Sequence, residues 1–264
     1  MSAIYGYEKL LSQEEVDKTL SILESLSDEW TPRGSDEYIY YTLGAVSHMD
    51  APQDSPITKE TISLFNEKNN IISNNFQYLY KIITDKVTEL FGPCEIVDDV
   101  PAPGFYIFGS KKNNEVQKLS PSGDYEGQTT IHKDGLFHML NYKWEKYGGA
   151  TDSFGMTLCL EIPKHGAGIL IWDQPDIGLY SNSQYAVRSK AFDFTKNESN
   201  ADIIKNNIKN PIPEIIDYKP GYVFWQHGGI YHAVGYSIDT LNTDRRITMQ
   251  VFGIKCDGIW RLIF

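Results

Sequence analysis

Phe154-Gly155-Met156-Thr157-Leu158-Cys159-Leu160-Glu161-Ile162, followed past Pro163 and Gly166 by Gly168-Ile169-Leu170-Ile171-Trp172, is the stretch on which the fold turns. Each run is short, apolar and bounded by turn residues, which reads as strand. Working outward, the same signature recurs at 95–97, 105–108, 129–132, 186–189, 222–225, 229–234, 246–254 and 260–263. Many short strands with Gly and Pro at their ends predict a sandwich or a closed barrel. Residues 110–126 are polar and read as a loop, and 197–210 reads as a surface helix or insertion.

The first ninety or so residues have a different character. Ser12-Gln13-Glu14-Glu15 fits a capping box, and Val16, Leu20, Leu23 and Leu26 follow near helical spacing. A second helix is predicted over 58–91, with Phe76, Leu79, Tyr80, Ile83, Val87 and Leu90 on its apolar face and Gly92-Pro93 as its stop. Between them, 38–46 has the Tyr and Thr content of a strand. No repeat or composition break divides the chain. The expectation is one domain over 1–264, mainly β with α additions, with a helical N-terminal layer at 1–93 and a β-core at 94–264.

Composition narrows the function classes. The chain of 264 residues is 41% hydrophobic, 22% charged and 13% aromatic, with 17 Tyr, which suits β-structure around a pocket for an organic molecule. A net charge of −11 argues against nonspecific nucleic-acid or anionic-membrane binding. The expected partner is a small-molecule substrate, with no nucleic acid and no membrane. Oligomeric state has no signature here. Cys94, Cys159 and Cys256 are few and widely spaced, so neither a disulfide scaffold nor a zinc knuckle is expected. With no basic-then-apolar leader at residues 1–10 and no long apolar run, a reducing cytoplasm is the expected location.

Six histidines occur, and the informative one lies in Ile131-His132-Lys133-Asp134-Gly135. In a strand, residues two apart share a face, so His132 and Asp134 would both point into a barrel. One imidazole and one carboxylate are two arms of a facial metal triad, which a second imidazole completes, leaving open positions that suit iron(II). Downstream, Pro220-Gly221 opens the run Tyr222-Val223-Phe224-Trp225, and Gly228-Gly229 leads to Ile230-Tyr231-His232-Ala233-Val234. Arg245-Arg246-Ile247-Thr248-Met249 opens another strand. An arginine buried near a metal is costly unless it meets an anion, and its planar fork suits a carboxylate. Thr248 would share a face with Arg246 and could add a hydroxyl.

In order, His132-x-Asp134, a long spacer, His232 and Arg246-x-Thr248 resemble the iron(II)/2-oxoglutarate-dependent dioxygenase superfamily, in its small-molecule hydroxylase and halogenase-like branch. The resemblance covers roughly residues 101–264. It implies a double-stranded β-helix (jelly-roll, cupin-like) core, and 153–162 with 166–172 looks like its central hairpin. It implies Fe(II) held by His132, Asp134 and His232, with 2-oxoglutarate as cosubstrate, anchored at its far carboxylate by Arg246, and O2 as oxidant. Related halogenases carry Gly or Ala in place of the carboxylate. Asp134 therefore implies hydroxylation of a C–H bond rather than chlorination, with desaturation or oxidative cyclisation sharing the same chemistry, in specialised or amino-acid metabolism. A non-catalytic cupin-like metal- or ligand-binding module is the alternative.

Two choices stay open on sequence. His227 competes with His232 for the distal ligand, because Gly228-Gly229 interrupts any parity between them. Arg245 competes with Arg246, because Arg245 shares strand parity with the core-like Ile247, Met249 and Val251. Tyr106, His138, Arg188 and Trp225 are candidates for the substrate pocket, with core aromatics and surface polar residues as the plainer alternative.

Overall fold

The structure is a computed structural model, which describes residues 5–35, 38–44, 59–97, 103–109, 147–163, 165–166, 168–172, 213–227, 230–234, 237–238 and 245–263. Its elements run β1 (Tyr5–Lys9), α1 (Gln13–Ser25), β2 (Thr31–Ser35), β3 (Tyr38–Gly44), α2 (Lys59–Phe91), β4 (Cys94–Ile96) and β5 (Pro103–Gly109). They continue with β6 (Ala150–Glu161), β7 (His165–Gly166), β8 (Gly168–Trp172), β9 (Glu214–Asp217), β10 (Tyr222–His227), β11 (Tyr231–Val234), β12 (Ser237–Ile238), β13 (Arg245–Cys256) and β14 (Ile259–Ile263). The predicted strands at 129–132 and 186–189, the loop at 110–126 and the helix at 197–210 lie outside the described residues.

Among the described residues the pairing is almost wholly antiparallel. A large sheet has the order β1-β10-β6-β13-β5-β3-β2, with β14 beside β13 and β4 parallel to β14. A smaller sheet has the order β11-β8-β9, and β7 pairs with β12. β13 is the spine. Its first half pairs with β5, its second half with β14, and its other edge with β6 along most of its length.

The two helices cover one face of the large sheet. Val16 and Leu23 of α1, and Ile72, Phe76, Leu79, Ile83 and Val87 of α2, pack on Phe105, Ile107, Phe154, Met156, Leu158, Val223, Ile247, Met249 and Val251. Each large apolar side chain withdrawn from water in this way contributes about 1.5–3 kcal/mol. The capping box forms as the sequence predicts. Ser12 Oγ accepts the Glu15 amide at 3.2 Å, and Glu15 Oε2 accepts the Ser12 amide at 2.7 Å. Gly92, at φ +101°, closes α2 where its amide bonds Thr88 O at 3.1 Å.

The N-terminal region is not a helical layer alone. β1 adds to the outer edge of β10, and β2 and β3 extend the sheet beyond β5. The strand expected at 38–46 is β3, whereas β1 and β2 were not expected. No described helix is long and apolar enough to cross a membrane.

Candidate active site

The other face of the large sheet turns toward the small one. Strand alternation sorts the residues of β13, so that Ile247, Met249 and Val251 enter the helix-side core and Arg246 and Thr248 face the opposite way. On β6 the same alternation sends Leu158 and Leu160 to the helices and Cys159 to the interior, and on β10 it sends Phe224 inward. Cys159 and Phe224 meet Ile169 and Ile171 of β8, with Tyr218 and Ile230, in a second apolar cluster between the sheets.

Arg246 is 2% exposed, and its guanidinium carbon lies 4.0 Å from the centroid of the Phe108 ring. Cross-strand register explains the contact, because Arg246 is the direct partner of Phe108 and Thr248 of Tyr106. The row continues outward. Phe108 pairs with and stacks on Tyr40 at 5.1 Å, and Tyr106 pairs with the buried Thr42. Arg33 of β2, opposite Tyr40, donates from Nε to Thr42 Oγ1 at 3.1 Å. On its other side Thr248 faces Cys159. Burial pushes the Cys159 thiol up to about 12, against the smaller opposing pull of Arg246. It is therefore a neutral neighbour of the guanidinium at ordinary pH.

His232 looks into the same space from the small sheet. It is 5% exposed and pairs with Ile171, a member of the apolar cluster that also contains Cys159. Its Nδ1 lies 3.1 Å from Ile230 O, and the Gln226 amide nitrogen, reaching across from β10, lies 2.7 Å from Nδ1 and 3.2 Å from Nε2. Thus His232, Arg246 and Thr248 lie on facing surfaces linked by one set of buried side chains. Tyr106 is buried on the same face as Arg246.

Three other sequence candidates lie elsewhere. His227 ends β10 half-exposed, with its ring 6.2 Å edge-on from Phe91 of α2 and Nδ1 3.8 Å from Asp152 Oδ1. It sits on the helix side and does not share the interior with His232. Trp225 takes the plainer of its two readings, a core aromatic. As a residue of odd parity in β10 it packs in the helix-side core, 5.2 Å edge-on to Phe91, with its indole over Gly6. Arg245 shares the face of Ile247, as its parity predicts, but at that face's rim. It donates to Glu161 at 2.9 Å and pairs with Glu24 of α1 at 2.7 Å.

His132, Asp134, His138 and Arg188 lie outside the described residues. Among the described residues no three His, Cys, Asp or Glu side chains gather as a metal site. His232 is a described imidazole on the interior face. Sequence reading missed Gln226 and Cys159, which have no motif of their own. Their parity with Phe224 and Thr248 would have placed both inside once those strands were paired.

No protein-family model matches the chain, and no curated protein matches it. Among solved structures it is similar to an N-substituted L-amino acid dioxygenase from Burkholderia ambifaria, at 14% identity over 93% of this chain and 91% of that one, with a TM-score of 0.37. It is similar to a prolyl-4-hydroxylase from Pseudomonas putida, at 9% identity over 97% and 94%, with a TM-score of 0.40. It is also similar to the non-heme alpha-ketoglutarate-dependent carbocyclase SnoK from nogalamycin biosynthesis, at 12% identity over 96% and 81%, with a TM-score of 0.47. At these identities and scores no residue role is carried across from them.

Proposed function

We propose that this chain is an iron(II)- and 2-oxoglutarate-dependent oxygenase that oxidises a C–H bond of a small molecule, by hydroxylation, in specialised or amino-acid metabolism. The two sheets then form the two walls of a double-stranded β-helix, built from residues 1–264 as one unit. His132, Asp134 and His232 hold the metal. Arg246 and Thr248 bind the distal carboxylate of 2-oxoglutarate. The three free thiols fit a cytoplasmic setting.

One observation carries this reading: a buried guanidinium and a buried hydroxyl on one sheet and a buried imidazole on the other border the same apolar cluster packed between the two sheets. The donors fit the groups. A neutral imidazole and a carboxylate are the ligands that suit iron(II), and a forked cation suits a carboxylate. Iron(II), when bound with 2-oxoglutarate and O2, supplies the oxidation, with succinate and carbon dioxide as by-products.

The chain's own contribution is binding and exclusion. The face of Phe108 supports the Arg246 guanidinium, so its fork is held before the carboxylate arrives. Cys159, kept protonated by burial, adds no competing anion there. Cys159, Phe224, Ile169 and Ile171 pack together between the sheets and exclude water, which strengthens each charge contact beside them. Asp134, retained as a carboxylate, favours hydroxylation over chlorination and leaves desaturation or cyclisation open to a suitable substrate.

The test is turnover. Protein with Fe(II), 2-oxoglutarate and oxygen should release succinate, and one compound from an amino-acid and natural-product panel should raise that rate. Metal binding with no succinate under any condition would leave a ligand-binding module in place of an enzyme.

A further inference from the structure

The face of the large sheet that turns toward the small one is not sealed along its whole length. Alternation places Thr157 of β6 and Gln250 of β13 on it, because Met156 and Leu158, and Met249 and Val251, enter the helix-side core on either side of them. The two are direct cross-strand partners, and Thr157 pairs on its other edge with Phe224 of β10. Phe224, Thr157 and Gln250 therefore form one row across three central strands. Phe224 is buried in the cluster between the sheets, yet Thr157 and Gln250 are only half-buried. The neighbouring row, Cys159 and Thr248, is again buried. In the other direction Phe252 is half-buried on the same face, since Gly253 beside it faces the helix side, where a Cβ would strike the Phe154 ring. Solvent thus reaches the middle of the sheet, at a patch made by Thr157, Gln250 and Phe252 and bounded by Phe224, Cys159 and Thr248.

This patch carries hydrogen-bonding capacity that the chain does not use. Among the described residues, neither the Thr157 hydroxyl nor the Gln250 carboxamide has a hydrogen-bond partner. Residues directly opposite in an antiparallel pair have Cβ atoms about 4.5–5.5 Å apart, so the two side chains can bond one ligand group together. A carboxamide offers N–H and C=O side by side, and a hydroxyl donates or accepts. Another amide matches that set, because its own C=O and N–H can meet the carboxamide in two antiparallel bonds. A charge does not match it. The described residues that bound the patch are uncharged, Cys159 being held neutral by burial, so an ion drawn out of water there would lie without a counter-charge. Arg246 is four residues from Gln250, about 13 Å along the strand, and anchors a different group.

We infer that Thr157 and Gln250 form a binding subsite for an uncharged amide group of a small organic ligand, with Phe252 as its apolar wall. The subsite stands on this sheet face alone and needs no metal. That its ligand is the substrate rests on the proposed oxygenase reading.

Benzamide, an uncharged amide on an aromatic ring, is the probe, and toluene is the same ring without the amide. In NMR of isotope-labelled protein, benzamide should shift the side-chain amide of Gln250 and the methyl group of Thr157. Gln250→Leu and Thr157→Val keep side-chain size and remove one partner each. Each should weaken benzamide binding about three- to ten-fold, the range expected for lost neutral hydrogen bonds, without weakening toluene. The inference is overturned if benzamide at its solubility limit shifts neither Gln250 nor Thr157. Wild-type benzamide affinity in Gln250→Leu would overturn it too, as would equal losses of benzamide and toluene, which would make the patch merely apolar. If Gln250→Leu does not fold, the wild-type shifts and Thr157→Val decide. Benzamide binding in a protein that releases no succinate under any condition strikes the oxygenase reading alone. Succinate release without benzamide binding strikes the subsite alone.

Discussion

Residue 246 is one step along β13 from residue 245, and that step changes its whole environment. Arg245 lies at the rim of the helix-side face, tied to Glu24 and Glu161. Arg246 lies inside, over Phe108. The two should respond differently to substitution. Arg246→Met should weaken 2-oxoglutarate binding at least about thirty-fold, the range expected when one partner of a buried charge pair is removed. Arg245→Met should leave that binding within about two-fold and cost about 1 kcal/mol or less, since its ion pairs are partly solvated. Isothermal titration with 2-oxoglutarate and a metal, with urea unfolding alongside, separates these outcomes. Equal losses of cosubstrate binding in both variants would contradict the assignment.

Cys159 gives a second residue-scale expectation. Its folded pKa is pushed from the ordinary 9.0 to about 12, so the folded state holds the thiol proton more tightly than the unfolded chain does. The resulting stability is complete below about pH 9, declines as pH rises through that window, and is lost near pH 12. Cys256, raised to about 11 by burial, acts in the same direction. Urea midpoints should therefore fall from pH 9 upward, and Cys159→Val should flatten part of that slope. A slope unchanged in Cys159→Val would assign the alkaline loss to other groups.

At the scale of elements, the turn that launches β10 is under tight constraint. Gly221 has φ +80°, and a Cβ there would lie 2.7 Å from Leu11 O. Its own carbonyl accepts from Leu10 and Leu11 at 2.8 and 2.9 Å, and its amide donates to Cys159 O at 2.9 Å. Gly221→Ala should destabilise the protein by about 1–3 kcal/mol through strain and overpacking. Because β10 carries Gln226, that variant should also loosen the tie to His232. Ser12→Ala, which removes only the cap of α1, should cost about 1 kcal/mol and leave the site untouched. Chemical denaturation of both variants checks the ranking, and a larger cost for Ser12→Ala would contradict it.

The same scale explains which elements could be read in advance. α1 and α2 announce themselves by cap, periodicity and a terminal glycine. The strands of the spine do so by apolar runs between turn residues. β2, Thr-Pro-Arg-Gly-Ser, contains two residues that demote a strand, and it is tolerated because it is an edge among the described residues, where a missing amide costs no ladder bond. β1 is the opposite edge among the described residues, and its short run gains its character from pairing with β10. Neither edge strand carries enough local signal to reveal a partner more than a hundred residues away or on the next turn.

Across the whole molecule, the large sheet is buried on both faces, one against helices and one against the small sheet. That is why single-strand parity could group residues but not say which group faces the site. Arg245 does share a face with the core residues Ile247, Met249 and Val251, yet that core is the helix side. Trp225 fell into the same ambiguity. Only the sheet order, set by pairings between distant strands, identifies the face that meets His232. The ordered motif that suggested the chemistry is a property of the sequence, whereas the facing of His232 and Arg246 is a property of the assembled sheets.

In the proposed oxygenase, His232 and Arg246 belong to one iron and 2-oxoglutarate site. Anaerobic addition of Fe(II) to protein with 2-oxoglutarate tests it most directly, by the weak visible charge-transfer band of the chelated complex. The band should appear in wild type and in His227→Ala and be absent in His232→Ala. A wild-type protein without the band, or a band that survives in His232→Ala and vanishes in His227→Ala, would contradict it.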